Sequence, residues 1–156
     1  MPKRYWLFKS EPDVFSIHDL KKATGKTTEW EGVRNYQARN LLRDDVQKGD
    51  DVLYYHSRTN PMAVVGTAKV ATAGYPDPYQ FDRKSKYFDE KSQKDNPRWF
   101  LVDITLGSIF KREVTLKEIK STAALNKMVL VTHGRLSVQP VTANEFQTIV
   151  KLGAKA

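Results

Sequence analysis

Apolar runs alternate with short polar turns in the first half of the chain, and each run has the length of a strand. Residues 4–9 are rich in aromatic side chains and predict a buried strand, which ends before Pro12 because proline cannot continue a ladder. Residues 51–57 and 62–70 predict two further strands joined by a turn, and Gly66 predicts a bulge or bend in the second. Together they are typical of a hairpin in a small, tightly curved sheet.

Capping residues predict where the helices begin. Ser16 is predicted to be the N-cap of a short helix, and a second helix is predicted from about Asn35 to near Asp44. Thr115 and Thr142 each precede a glutamate by three positions, which is the spacing of a capping box. The last helix is predicted to be amphipathic, with one apolar face formed by Phe146, Ile149, Val150 and Leu152.

The second half of the chain adds strands around a long irregular segment. Residues 74–98 show no periodicity, and loops of that length are often functional. Residues 99–109 return to strand pattern, and residues 136–139 predict a short strand closed by Pro140. Four or five short strands among short helices indicate a curved α+β domain and not βαβ units.

Residues 29–42 form the segment most suggestive of a ligand site. Trp30 is predicted to be either a stacking platform or a core tryptophan, and Gly32 permits close backbone approach or a positive φ. Tyr36, Leu41 and Leu42 are predicted to pack inward. The segment also carries an unusually dense set of planar hydrogen-bonding groups: Arg34, Asn35, Gln37, Arg39 and Asn40.

Polar side chains also stand where predicted strands end. His56 and Ser57 follow one strand, and Lys9 and Ser10 end the first, so both pairs are placed to line a pocket. Ser57 is equally suited to a turn or cap. Arg135 lies in a second polar and apolar alternation, where it either binds phosphate or bridges to an acid.

Length and charge narrow the functional class. A chain of 156 residues predicts one domain over residues 1–156, and its net charge of +8 makes a polyanionic partner one interpretation; water-facing lysines are the other. Cysteine is absent, which excludes disulfides and thiolate zinc sites and fits a reducing compartment. The apolar run at the start is too short for a signal peptide or membrane span, so we expect no membrane partner and a cytoplasmic location, with nucleoid or nucleus as alternatives.

Signatures of catalysis are missing from the sequence. The three histidines are scattered, without metal-ligand spacing, and no glycine-rich phosphate loop or nucleophile elbow occurs. We therefore expect neither a metal nor an organic cofactor. An enzyme would have to assemble its active site from dispersed residues.

Five stretches in chain order resemble one family, the EVE domain of thymocyte nuclear proteins and their bacterial relatives. They are residues 5–12 (YWLFKSEP), 30–40 (WEGVRNYQARN), 55–57 (YHS), 75–78 (YPDP) and 135–140 (RLSVQP). The resemblance implies a PUA-like fold, a small mixed β-barrel of about five or six strands flanked by short helices. It also implies binding of nucleic acid with a modified cytosine or adenine flipped into an aromatic pocket, as in the similar YTH domain.

The pattern and the resemblance together give a set of candidate residues. Ligand contact is predicted for Lys9, Ser10, Trp30, Val33, Arg34, Asn35, Tyr36, His56, Ser57, Tyr75 and Tyr79. Tyr75 and Tyr79 are candidates for the further cage aromatics, and Trp30 is the cage residue implied by the resemblance. Arg39 and Arg135 are predicted to contact the nucleic-acid backbone.

Two other functional classes remain open at this stage. One is an enzyme acting on nucleic acid or nucleosides, with His56 as the proton-transfer group. The other is a small-molecule or protein-interaction module whose positive charge only maintains solubility. The leading hypothesis is a non-catalytic module that recognises a modified base in DNA or RNA, as a monomer or weak dimer.

Overall fold

Eight strands and six short α-helices make up the computed structural model within residues 3–155; residues 1, 2 and 156, which the single-domain prediction includes, lie outside the described residues. The strands are β1 (Tyr5–Ser10), β2 (Thr27–Glu29), β3 (Asp51–His56), β4 (Ala63–Val70), β5 (Tyr75–Pro76), β6 (Phe100–Leu101), β7 (Asp103–Thr115) and β8 (Val138–Val141). The helices are α1 (Pro12–Phe15), α2 (Ile17–Lys22), α3 (Tyr36–Asn40), α4 (Leu116–Ser121), α5 (Val129–Thr132) and α6 (Ala143–Gly153). A π-helical turn, Leu41–Asp45, continues α3.

Six of the strands form one mixed sheet in the order β2-β7-β4-β3-β1-β8. Strands β1 and β3 pair in parallel, and the other neighbours are antiparallel. The sheet curls into a half-barrel, and β5 and β6 form a separate two-stranded ribbon. The prediction of a curved α+β fold with about five or six strands and short helices is confirmed.

Both faces of the central strands are buried, which explains the continuous apolar run in β1. Trp6 and Phe8 face one hydrophobic cluster, whereas Leu7 between them faces the other. Helix α2 covers the first cluster through Ile17. Helix α6 covers the second through Ile149, on the apolar face that the sequence predicts.

The capping residues and the bulge that the sequence predicts are present in the structure. Ser16 and Asp19 form a reciprocal capping box at the start of α2, and Thr142 forms one at α6. The β3–β4 hairpin is present, and its register shifts beside Gly66 as expected for a bulge. A Cβ at Gly66 would collide with the Ser108 carbonyl oxygen of β7, so glycine is required for the close approach of these strands.

Three local predictions are wrong. The strand predicted over residues 99–109 is interrupted at Val102, because the short piece before the break pairs with β5 instead of joining the main sheet. After the break, the strand extends to Thr115. Pro140 lies inside β8 and does not close it, since β8 is an edge strand where a missing N–H is tolerated. Tyr36 is 52% exposed rather than packed inward, because its ring lies on the outside of Trp99 at 4.9 Å between centroids.

Buried polar groups fix the long segment that the sequence marked as irregular. Gln80 is fully buried and donates to the carbonyls of Asp77 and Trp99, at 2.7 and 2.9 Å. The side-chain carbonyl oxygen of Gln80 accepts from the backbone N–H of Trp99 at 3.1 Å. This segment is therefore held against the body of the protein by satisfied hydrogen bonds, although it has little regular structure.

Helices within residues 3–155 are too short and too polar to cross a lipid bilayer.

Candidate functional site

An open cleft of about 1150 Å³ lies at the edge of the sheet where β1 and β3 end. Because these strands are parallel, their carboxyl ends meet there: Ser10 pairs with His56, and the Ser57 backbone N–H donates to the Ser10 carbonyl at 3.0 Å. The opposite wall is formed by residues 28–35, and residues 134–137 close one end. The cleft thus draws on segments from both ends of the chain.

Trp30 lines this cleft and also belongs to the core. It is 7% exposed, and its ring lies 5.5 Å from the Phe8 ring and 5.4 Å, edge on, from the Tyr54 ring. Its backbone N–H donates to the Val102 carbonyl at 2.8 Å. Trp30 is therefore a core tryptophan that also lines the cleft, and its use as a stacking platform stays a prediction.

Four basic side chains line the mouth of the cleft: Lys9, Arg58, Lys86 and Arg135. Lys9 donates to the Gly134 carbonyl, and burial lowers the pKa of its ammonium group. Arg58 is 82% exposed on its side chain and lies 4.0 Å from Glu11. Arg135 is exposed on the loop that closes the end of the cleft. The rim is suited to a polyanion.

The Arg34 guanidinium binds groups of the protein itself. Its guanidinium donates to Asp77 at 3.0 Å and to the Tyr87 carbonyl at 2.8 Å, and it lies 5.3 Å from the centroids of both the Tyr87 and Trp99 rings. The Asp77 carboxylate is fully buried and also accepts from the Gly32 N–H at 3.3 Å. Arg34 lines the cleft, and it links the wall at residues 28–35 to the segment that carries Asp77 and Tyr87; we call this link the clamp role of Arg34.

Gly32 and Tyr87 meet in this wall. Gly32 has a φ of 83°, and a Cβ on it would collide with the Tyr87 ring. The positive φ expected of this glycine is present; the close approach that the structure shows is to the Tyr87 ring, and an approach to a ligand stays a prediction. Tyr87, from the irregular segment at residues 74–98, lines the cleft together with the aromatic side chains of Phe15 and Trp30.

Three carboxylates line the cleft, those of Glu11, Glu29 and Glu31, and none of them was predicted to be a site residue. Glu29 accepts from the Tyr79 hydroxyl at 2.6 Å, and it lies 3.3 Å from the Tyr75 hydroxyl, which donates to Asp103 at 2.6 Å. The hydrogen bond to Glu29 is the main cause that raises the pKa of Tyr79 to about 12, so Tyr79 stays protonated and donates near neutral pH. Glu31 is more exposed, and burial, followed by the nearby charges of Asp77 and Glu29, raises its pKa.

Smaller polar groups complete the lining. Asn35 caps α3 by accepting from the Ala38 N–H at 3.0 Å, which leaves its amide NH₂ to face outward. The Ser10 hydroxyl donates to the Phe15 carbonyl at 2.7 Å, so its oxygen retains capacity to accept.

The structure brings some of the predicted site residues together and places others elsewhere. The cleft is lined by eight of them: Lys9, Ser10, Trp30, Val33, Arg34, Asn35, Ser57 and Arg135. Five do not line it: Tyr36, Arg39, His56, Tyr75 and Tyr79. Tyr75 and Tyr79 lie behind the wall as donors to Asp103 and Glu29, and Arg39 donates to the Arg98 carbonyl at 2.6 Å.

His56 is directed away from the cleft and into the protein. Its Nε2 accepts from the Ile17 backbone N–H at 3.1 Å, and burial is the first cause that lowers the pKa of the ring, followed by the charge of His18. The ring is thus held neutral with Nε2 occupied. This environment gives no support to the hypothesis of His56 as a proton-transfer group. Within residues 3–155, no cluster of three or more histidine, aspartate or glutamate side chains is arranged to hold a metal ion.

Comparison with known proteins identifies relatives over nearly the whole chain. The family model described as the EVE domain matches residues 4–152. Thymocyte nuclear protein 1 of Gallus gallus is 41% identical over 165 residues, which cover 95% of this chain and 68% of the relative.

Solved structures agree with this assignment. A hypothetical protein from Leishmania major is 45% identical, with a TM-score of 0.91 over 97% of this chain and 95% of that one. Human THYN1 protein, solved in complex with DNA that contains 5-methylcytosine, is 39% identical, with a TM-score of 0.92 over 99% of both chains.

The predicted cytoplasmic location is contradicted by these names, because the animal relatives are called thymocyte nuclear protein 1. The prediction rested on the short apolar run in residues 5–8. Such a run carries no information that separates cytoplasm from nucleus.

Replacement of Arg34 by alanine is expected to lower the free energy of unfolding by roughly 3 kcal/mol, because it strands the buried Asp77 carboxylate without its cation. Urea denaturation measures the change. Arg43→Ala is the control, since the Arg43–Asp44 ion pair is exposed on both sides and its loss should change little. Equal destabilisation by both variants would contradict the clamp role of Arg34.

Acidification is expected to destabilise the protein through His56. Its folded-state pKa lies below the ordinary value of 6.5, so the unfolded chain binds the proton more readily, and the free energy of unfolding falls as pH drops through that value. Urea denaturation at pH about 7.5 and about 5.5 should show this loss, and His56→Gln should reduce it. The exposed His133→Gln serves as the control, and an unchanged pH dependence in His56→Gln would refute the assignment.

Proposed function

This chain belongs to the EVE domain family, and we propose that it is a nucleic-acid-binding module that holds a modified cytosine of DNA in the cleft beside Trp30. The observation that carries the proposal is the likeness to human THYN1 protein solved with DNA that contains 5-methylcytosine, which extends over 99% of both chains. The cleft, its aromatic side chains and its basic rim supply the physical basis.

The proposed binding mode is base flipping. The cleft volume of about 1150 Å³ exceeds what one nucleobase needs, and Trp30 and Tyr87 present aromatic surface within it. Unstacking a base costs a few kcal/mol, whereas each aromatic stack returns about 1–3 kcal/mol. One stack therefore barely offsets the unstacking, and contacts to the base edge and the phosphates must supply the remaining affinity.

We assign those contacts to the residues that line the cleft. Ser10, Ser57 and the Asn35 amide are placed at its walls to hydrogen-bond the base edge, and Lys9 and Arg135 are placed at its rim to meet phosphates. Val33 contributes apolar surface, which suits a methyl group on the base.

Arg34 is assigned a supporting role in this mode, because its guanidinium already serves Asp77 and Tyr87. Tyr36 and Arg39 lie outside the cleft, and we do not include them in the binding set. His56, Tyr75 and Tyr79 act on the cleft only through the backbone or side chains that they hold.

Binding of short single strands that differ only in one cytosine or 5-methylcytosine tests the proposal. We expect the methylated strand to bind more tightly in a fluorescence anisotropy titration, and Trp30→Phe to weaken that binding by roughly threefold to tenfold through loss of stacking area. Phenylalanine is chosen because alanine would also remove the packing of Trp30 on Phe8 and Tyr54. Tyr36→Leu is the matched aromatic control outside the cleft; equal affinity for the two strands would refute the proposal.

Salt dependence separates phosphate contact from base contact. Arg135→Gln is expected to weaken binding of the methylated and unmethylated strands by the same factor, and to reduce the slope of log K against log salt by about 0.7. The control is Lys120→Gln on helix α4, an exposed cation that does not line the cleft. A change in the preference between strands, with an unaltered slope, would mean that Arg135 contacts the base.

A further inference from the structure

Glu29 is an anchored carboxylate in the wall of a cleft whose rim is basic. It is the last residue of β2, where it pairs with Asp103 of β7, so its backbone position is fixed by the sheet. The Tyr79 hydroxyl donates to its Oε1 at 2.6 Å. The Tyr75 hydroxyl lies 3.3 Å from its Oε2, but the single proton of that hydroxyl goes to Asp103 at 2.6 Å. One carboxylate oxygen, Oε1, is therefore anchored before any ligand arrives.

This hydrogen bond leaves acceptor capacity unused. An ionised carboxylate has about four lone-pair sites, and the Tyr79 hydroxyl occupies one of them. Of the ion pairs formed within residues 3–155, none involves Glu29. A carboxylate without a cation partner repels a phosphate group, whereas its free acceptor sites suit a ligand group that carries N–H donors.

The group that matches a fixed acceptor is an exocyclic amino group. Cytosine presents its N4 amino group as a donor, and aspartate or glutamate is the side chain that accepts from it. Thymine presents a carbonyl oxygen at the same position, so a carboxylate there would face another acceptor. Thymine also carries the same 5-methyl group as 5-methylcytosine, which leaves the amino group as the main difference that Glu29 would sense.

We infer that Glu29 is the specificity-determining residue that selects an amino-bearing pyrimidine, and that Tyr79 is the positioning residue that holds its carboxylate. The inference rests on the proposed function, because it assumes that a base enters this cleft. It changes the role of Tyr75 and Tyr79 from the cage aromatics that the sequence predicted to donors behind the wall.

The test compares two single strands that are identical except for 5-methylcytosine or thymine at one central position. We expect the native protein to prefer the 5-methylcytosine strand by about tenfold or more, the discrimination given by a good edge contact. Glu29→Gln keeps the shape of the side chain but adds an NH₂ donor able to meet the thymine carbonyl. This variant should bring the affinity ratio of the two strands close to one.

Three further variants separate recognition from folding. Glu31→Gln is the matched control, since Glu31 lines the same cleft without a tyrosine anchor, and it should leave the ratio unchanged. Tyr79→Phe removes the hydroxyl that anchors Glu29 and should reduce the ratio in part, whereas Tyr75→Phe removes a hydroxyl that donates to Asp103 and should leave the ratio unchanged. A purely structural role of the Tyr79 hydroxyl would lower the thermal unfolding temperature of Tyr79→Phe while leaving the ratio intact, and that result would overturn its role as a positioning residue.

The unmethylated cytosine strand keeps the two proposals distinguishable. Preference for 5-methylcytosine over cytosine, combined with equal binding of 5-methylcytosine and thymine, would overturn the role of Glu29 and leave the proposed function standing. Equal binding of both cytosines, combined with rejection of thymine, would support Glu29 and overturn methyl recognition. Loss of discrimination in Glu31→Gln but not in Glu29→Gln would also overturn the inference, and no binding of any strand would overturn both proposals.

Discussion

The Asp77 carboxylate is fully buried, and the Arg34 guanidinium is the cation that compensates it. Two parts of the chain meet in this pair: the segment that carries Trp30 and Gly32, and the irregular segment that carries Tyr87. Because an uncompensated buried charge is very unfavourable, this ion pair ties the two segments to each other. It fixes the Tyr87 side of the cleft, together with the backbone N–H groups that Asp77 also accepts from, whereas Trp30 is held by Phe8, Tyr54 and the Val102 carbonyl.

The lining of the cleft combines three kinds of group. Exposed cations, among them Arg58 and Arg135, suit an anionic group. The Glu29 carboxylate accepts from the Tyr79 hydroxyl and offers further acceptor sites, and Trp30 and Tyr87 contribute aromatic carbon. The nucleotide that we propose as ligand has a group for each of them: a phosphate, an amino group and a flat ring.

The sequence alone led to much of the fold and part of the candidate site. Capping residues and apolar runs located most helices and strands, and strand-end reasoning led to Lys9, Ser10 and Ser57, because the end of a strand is where side chains leave the core. The sequence did not reveal the partner of Glu29, since the Tyr79 hydroxyl that anchors it lies 50 residues away in a segment without periodicity. Tyr36 was misjudged for a related reason: an aromatic residue at the start of a helix packs inward only if no neighbour such as Trp99 already fills that place.

The parallel pairing of β1 with β3, with β8 on the other side of β1, has a consequence for folding. Lys9 reaches the carbonyl of Gly134, 125 residues further along the chain, and Ser10 meets Ser57 across the strand pair. Contacts of such sequence separation form slowly, because a long loop must close before they contribute stability. The loop at residues 134–137, which closes one end of the cleft, directly precedes β8, so the cleft is complete only once this strand has paired with β1.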